Sequence, residues 1–235
     1  MGSAVRSVLR EFPDLTLAAC VAPREPQGGP TPGPLWLTPE EFETRRRRDG
    51  LGEDTVVVDF SLAAGTSYLV KILLGWPRAL VCATTGIDAL TETRLDTLAE
   101  RVAVFRAANL SPGFAVMQAM LRALPGGVKD SFRADMIEHH HAGKKDAPSG
   151  SALVLADTLR SVGWAGPLGD GVRIQSIRAG TEPGTHEVLL SGSGETVELT
   201  HRVHDRSVFA RGALRAARFL RGRAPGRYGM DDLLA

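Results

Sequence analysis

At 235 residues the chain can hold one large or two modest domains, and a hydrophobic share of 43% supplies a real core. A formal charge of +1 argues against a nucleic-acid partner or a membrane surface, and no apolar run approaches the roughly 20 residues that span a bilayer. Cys20 and Cys82 sit in apolar, strand-like runs and no signal-peptide hydrophobic region is evident, so the expectation is a cytoplasmic protein with two buried free thiols.

Residues 1–12 read as a helix with Ala4, Val5, Val8 and Leu9 on one face, and residues 14–21 as a strand. A Pro/Gly-rich loop covers 26–35, and Thr38-Pro39-Glu40-Glu41 is a helix start with proline first and acids in the first turn. The basic run Arg45–Arg48, next to Asp49-Gly50, reads as the solvated end of that helix and not as a nucleic-acid patch. The continuous apolar run at 56–61 predicts a parallel strand buried on both faces. A helix over 62–75, a strand and turn over 79–86, a helix over 88–100 and a strand over 102–106 continue the alternation that builds an open parallel sheet. An apolar-faced helix over 114–124 stops at Pro125-Gly126-Gly127. Later, alternating strands over 172–178, 185–190 and 196–201 with Gly-rich turns indicate a partly antiparallel sheet, and a last helix spans 207–220.

The densest chemistry lies at 137–151, where three histidines, two lysines, an aspartate and a Pro-Ser-Gly turn precede a periodic apolar run. That run (Ala152, Leu153, Leu155, Ala156, Leu159) predicts a helix, with Ser149 as its cap and the Gly150 and Ser151 amides aimed at an anion. Gly150 has no side chain to keep a ligand from the backbone. His140 and Lys144 converge on such a ligand in this reading, with His141 beside them; burial and neighbouring cations would make Lys144 a usable acid. A solvated loop or ordinary core histidines would leave the same letters.

The string Glu138-x-His140-His141-x-x-Lys144-x-Asp146-Ala147-Pro148-Ser149-Gly150-Ser151-Ala152 resembles the signature of the dihydrodipicolinate reductases, NAD(P)H-dependent enzymes of the diaminopimelate route to lysine. The family usually has Thr where this chain has Ser151, which keeps the hydroxyl. Val57-Val58-Asp59-Phe60-Ser61, Ala83-Thr84-Thr85-Gly86, Ala108-Asn109-Leu110-Ser111, Gly184-x-His186-x-Val188 and Phe209-Ala210-x-Gly212-Ala213 are similar to family stretches in order, and only residues 24–53 lack resemblance. The resemblance implies an α/β fold: a Rossmann-like parallel sheet over 1–110 and 208–235, with its first strand missing, and a smaller α+β substrate and tetramerisation domain with an open mixed sheet over 111–207.

It also implies the roles. His140 and Lys144 fall on the catalytic pair, Lys144 giving the proton; His141, Lys144, Gly150 and Ser151 fall on the residues that hold the carboxylates of a small dicarboxylate substrate. The cofactor, NADPH or NADH, would lie on Gly2, Ala83, Thr84, Thr85, Ala108, Asn109 and Leu110, and the assembly would be a homotetramer with no bound metal. The resemblance enters in mid-motif: the family's first strand and the first two glycines of its Gly-x-x-Gly-x-x-Gly loop have no counterpart before Met1-Gly2. A reading frame started at an internal methionine accounts for this, as does a remodelled or lost cofactor site, and a gap between neighbouring strands is expected either way. The usual acid after the second strand is displaced in Ala22-Pro23-Arg24-Glu25, where Arg24 favours a 2′-phosphate; Ala83 replaces a glycine, and Phe114-Ala115 replaces Val-Asn. Two competing readings are a retasked homologue that binds a dicarboxylate without normal cofactor use, and a zinc-dependent hydrolase built on the histidines, with His201 and His204 as a further pair.

Overall fold

The computed structural model describes residues 1–23, 35–48, 51–52, 54–164 and 172–235. The Pro/Gly-rich loop (save Leu35), Arg24, Glu25 and Asp49-Gly50 lie outside the described residues.

Helix α1 (Gly2–Val8) runs into one 3-10 turn; its predicted face (Ala4, Val5, Val8, Leu9), joined by Phe12, packs on Ala210 and Leu214 near the end of the chain. Strand β1 (Ala19–Val21) pairs in parallel with β2 (Leu35–Leu37), which the sequence reading did not contain. The strand predicted over 14–21 is thus trimmed to its last three residues, because only these face a partner. Helix α2 (Pro39–Arg48) starts as expected: Thr38 Oγ1 accepts the Glu41 N–H at 3.2 Å and the Glu41 carboxylate accepts the Thr38 N–H at 2.7 Å.

Next come β3 (Val57–Asp59), α3 (Ala63–Gly75), β4 (Leu80–Cys82), α4 (Ala89–Ala99) and β5 (Ala103–Arg106). These strands and β10 (Gly226–Tyr228), a late strand the sequence reading missed, form a parallel sheet in the order β10-β5-β4-β3. Alternation along β4 and β5 divides the core. Leu80, Cys82 and Val104 meet Val70, Leu73, Leu95 and Leu98 on one face; Val81 and Phe105 meet Ala213, Ala216, Ala217 and Leu220 on the other. β3 departs from expectation. Val57 and Val58 are half-buried because, among the described residues, β3 is bonded on one edge only. The parallel strands therefore form two separate sheets, β1-β2 and β10-β5-β4-β3. Trp76, after α3, meets the Phe42 ring edge-on at 5.9 Å, in a cluster with Leu37 and Ile72 that packs the smaller sheet on α3.

Helix α5 (Pro112–Arg122) leads to β6 (Arg133–His140), α6 (Gly150–Ser161), β7 (Arg173–Arg178), β8 (Gly184–Gly192) and β9 (Glu195–Val203). The second four-stranded sheet has the order β7-β6-β8-β9, with β6 parallel to β7 and the other pairs antiparallel, so the expected mixed sheet is present. α5 and α6 cover one face, burying Phe114, Leu121, Met136, Leu155, Leu159, Val188 and Trp164. The chain then enters α7 (Ser207–Leu220) and closes with β10 and a short α8 (Met230–Leu234). α7 packs so closely on residue 110 that a Cβ on Gly212 would lie 2.0 Å from the Leu110 carbonyl oxygen. Both cysteines are free; Cys82 is fully buried, Cys20 only half-buried, and burial pushes the Cys82 thiol up to about 11. No described helix is long and apolar enough to cross a membrane.

Candidate active site

The site begins with the pleat of β6. Its buried residues are Ala134, Met136, Glu138 and His140, so Glu138 and His140 share one face while His139 turns away to the Ala179 carbonyl. His140 Nδ1 makes a short hydrogen bond to Glu138 Oε2. Glu138 is fully buried, and its Oε1 accepts from Arg178 Nη2 at 2.6 Å and from the Ser149 N–H at 3.3 Å. Strand register brings these partners in: Arg178 stands opposite His140 on β7, and His186 opposite Glu138 on β8. Burial opposes ionisation of Glu138, but the hydrogen bonds from Arg178, Ser176 and His140 outweigh it and hold the carboxyl at about 2. Burial likewise pushes the His140 pKa down; Glu138 pulls it back, and the Lys144 and Arg178 charges lower it further. His140 is therefore a neutral ring near pH 7. Facing a carboxylate, its Nδ1 carries the proton, which leaves Nε2 as a bare acceptor beside Gly184, where a Cβ would come within 2.9 Å.

Beyond β6 the chain turns back through the His141 N–H on the Glu182 carbonyl (2.8 Å) and the Lys144 N–H on the His141 carbonyl (3.1 Å). The Lys144 ammonium pairs with Asp146 at 2.8 Å and stays partly exposed. The charge it pairs with is thus a carboxylate, and the Lys144 side chain is 23% exposed. Burial raises the Asp146 carboxyl, but Lys144 and the Gly150 N–H outweigh it and lower its pKa. The predicted cap is present, with Ser149 Oγ accepting the Ala152 N–H at 3.2 Å. Lys144 reaches the first turn of α6 through Asp146, which also takes the Gly150 N–H; His140 is joined to the cap through Glu138, and His141 follows β6 on the Glu182 carbonyl.

On the other side, the carboxyl ends of β4 and β5 supply residues 83–86 and 107–110, the edge at which parallel sheets receive ligands. Thr85 touches the tip of α6: a Cβ on Gly150 would fall 2.7 Å from Thr85 Cγ2. Asn109, expected on the cofactor side, donates through Nδ2 to Oγ of Ser151, expected on the substrate side, at 3.0 Å. Thr84 is buried, and its hydroxyl bonds to Asp59 (3.2 Å) and the Ser61 carbonyl (3.1 Å), so it fixes the loop from within. Leu110 is buried, Ala108 half-buried and Ala83 half-buried at the strand end, whereas Gly2 is exposed at the start of α1. Gly86 closes the loop with φ +68° and open space around its α-carbon. Exposed Thr85, the open turn at Gly86 and the tip of α6 thus lie together at the edge where the sequence leads one to expect the nicotinamide.

Ligand atoms of Glu138, His140 and His186 lie within 4.8 Å of one another, yet the trio does not suit a cation. Both Glu138 oxygens are engaged and a guanidinium already sits on one of them. His201 bonds Ser111 and His204 is exposed, so the second histidine pair does not form a metal site either. Glu138, Arg178 and His186 were missed as site residues by sequence reasoning. Glu138 had a signal, since its two-residue spacing from His140 on a strand puts both on one face; the other two depend on register.

A parallel sheet whose carboxyl edge faces the capped tip of a helix laid on a mixed sheet defines the class: an α/β protein with the Rossmann-like fold of nicotinamide-dependent dehydrogenases. The fold matches the dipicolinate-bound dihydrodipicolinate reductase from Paenisporosarcina sp. TG-14 with a TM-score of 0.72 at 18% identity, over 97% of this chain and 92% of that one. Two family models match the sequence, "Dihydrodipicolinate reductase, N-terminus" at residues 1–110 and "Dihydrodipicolinate reductase, C-terminus" at residues 113–234. Among curated relatives, the 4-hydroxy-tetrahydrodipicolinate reductase of Stenotrophomonas maltophilia (strain K279a) is 37% identical over all of this chain and 93% of its own length. That of Xylella fastidiosa (strain 9a5c) is 35% identical with the same coverage. The chain belongs to the dihydrodipicolinate reductase family, oxidoreductases that use a pyridine nucleotide. The zinc-hydrolase and retasked readings find no support in these comparisons.

Proposed function

We propose that the protein reduces 4-hydroxy-tetrahydrodipicolinate to tetrahydrodipicolinate in the diaminopimelate route to lysine, with NADPH or NADH as reductant. The observation that carries this is the capped tip of α6 set against both the loop at Thr85 and the buried Glu138–His140 pair. Uptake of a hydride and a proton with loss of the ring hydroxyl as water balances the change. When bound, the nicotinamide cofactor would supply the hydride, and Gly2, Ala83, Thr84, Thr85, Ala108, Asn109 and Leu110 would hold it.

The protein's own residues do the rest. The amides of Gly150 and Ser151, the Ser151 hydroxyl and His141 take a substrate carboxylate, favoured by the partial positive charge of the helix start. Lys144 delivers the proton, and an arriving carboxylate competes with Asp146 for its ammonium. Neutral His140, held by Glu138, orients the donor and stabilises the charge that develops. The Asn109–Ser151 bond and the Thr85–Gly150 contact link the cofactor loops to the substrate helix, so that closing on one ligand orders the other. We assign residues 1–110 and 208–235 to the nucleotide domain, 111–207 to the substrate domain, a homotetramer to the assembly, and the cytoplasm to its location.

The test is NADPH and NADH oxidation by purified protein with enzymatically generated substrate. Turnover is expected from the unmodified chain, and Lys144→Ala should lower kcat about 10²–10⁴-fold while the unfolding midpoint stays in place. A protein inert with both nucleotides, or a Lys144→Ala variant of full activity, overturns the assignment.

A further inference from the structure

Two histidines on neighbouring strands hold the starts of the two helices that cover the mixed sheet. His186 on β8 and His201 on β9 are paired in register, and their rings stack 6.2 Å apart with planes 18° from parallel. His186 Nε2 bonds Oγ of Ser149, the cap of α6, at 3.2 Å. His201 Nε2 bonds Oγ of Ser111, the cap of α5, at 3.1 Å. Phe114 stands edge-on to both rings at 5.8 Å, and the His140 ring meets His186 edge-on at 5.2 Å.

Each ring's other nitrogen, Nδ1, is buried without a partner among the described residues, so the serine is the one polar tether each ring has. Ser149 Oγ already accepts the Ala152 N–H, which leaves its own proton for a bare ring nitrogen. Ser111 Oγ likewise accepts the Phe114 N–H, at 3.4 Å. The bond therefore suits a neutral imidazole. The charged and titratable groups acting on His186 are Glu138, His140, Lys144 and His201; burial outweighs the Glu138 carboxylate and keeps the ring neutral to about 3. Burial lowers the His201 pKa in the same way.

We propose that His186 and His201 are positioning residues: as neutral rings they pin the capping serines of α6 and α5, and so set the substrate-gripping tip of α6 against His140 and the segment at 109–113. The effect on turnover rests on the reductase reading; the ring–serine bonds do not.

The experiment compares His186→Phe, which keeps a ring and removes the nitrogen, with His186→Gln, whose amide reaches the place of Nε2. Dipicolinate affinity by calorimetry and the substrate KM are both expected to worsen about tenfold in His186→Phe, with the Gln variant restoring most of the loss. Ser149→Ala should give a similar loss, and the double variant no more than either alone. Ser149→Ala carries the comparison by itself if His186→Phe does not fold. Nitrogen NMR of the wild-type rings should show His186 neutral in a single tautomer throughout the neutral range, with its signal moved by Ser149→Ala. Unchanged dipicolinate affinity and substrate KM in folded variants, additive losses, or a His186 that titrates near neutrality overturn the proposal. If the wild-type protein binds dipicolinate and reduces nothing, the reductase reading falls, and the calorimetric series still decides the role of His186.

Discussion

Glu138 concentrates the electrostatics of the site in one side chain. Its folded-state value of about 2 lies below the ordinary 4.5, so the sign is that of a stabilising carboxylate. The contribution, on the order of 3 kcal/mol, is complete above about pH 4.5 and drains away as pH falls toward 2. Acid unfolding of Glu138→Gln should therefore lose most of its steepness in that window, and the variant should be less stable at neutral pH because Arg178 keeps a buried charge without its partner. Denaturant melts of both proteins across pH 2–7 check this; parallel pH curves would refute it. The residue-level chemistry was legible only where it is local in sequence. Ser149 as cap and Gly150 as bare tip follow from a short string before an apolar period. Arg178 and His186 do not, because their places depend on which strand lies beside β6 and in what register.

The elements show the same division. Helices α3, α4, α6 and α7 fall close to their predicted spans because each shows an apolar face or a cap in its own sequence. Strands β2 and β10 escaped notice, since three residues carry too little periodicity to stand out from a loop. β3 was expected to be more deeply buried than it is, because a run of valines announces a strand but not how many neighbours it has. Among the described glycines, Gly212 of α7 leaves the least room for a side chain, against the Leu110 carbonyl. Gly212→Ala should cost at least ~2 kcal/mol, since the new methyl meets a backbone oxygen at 2.0 Å and neither element can yield without moving a core. Thermal melts measure the loss, and an alanine variant as stable as the parent would show that α7 can slide.

The sheets of the whole molecule differ greatly in size. The mixed sheet pairs nine residues of β8 with β9 in an unbroken ladder, whereas the ladder of β1 with β2 holds three. Short two-stranded ladders are marginal alone, so the smaller sheet depends on its packing against α2, Ile72 and Trp76. Amide exchange is expected to be fastest, among the strands described, at residues 19–21 and 35–37, and slowest in β6 and β8. Equal protection throughout would mean that the molecule opens only as a whole.

The three indoles follow this division. Trp36 lies in β2 with Arg6 stacked over it at 5.4 Å, Trp76 lies under Arg78 at 4.4 Å, and Trp164 is sealed beneath the mixed sheet. Light emitted from residue 164 thus reports one half of the molecule in an oily setting, and the other two indoles report the opposite half beside a cation. Replacing tryptophans in turn gives each half its own optical gauge.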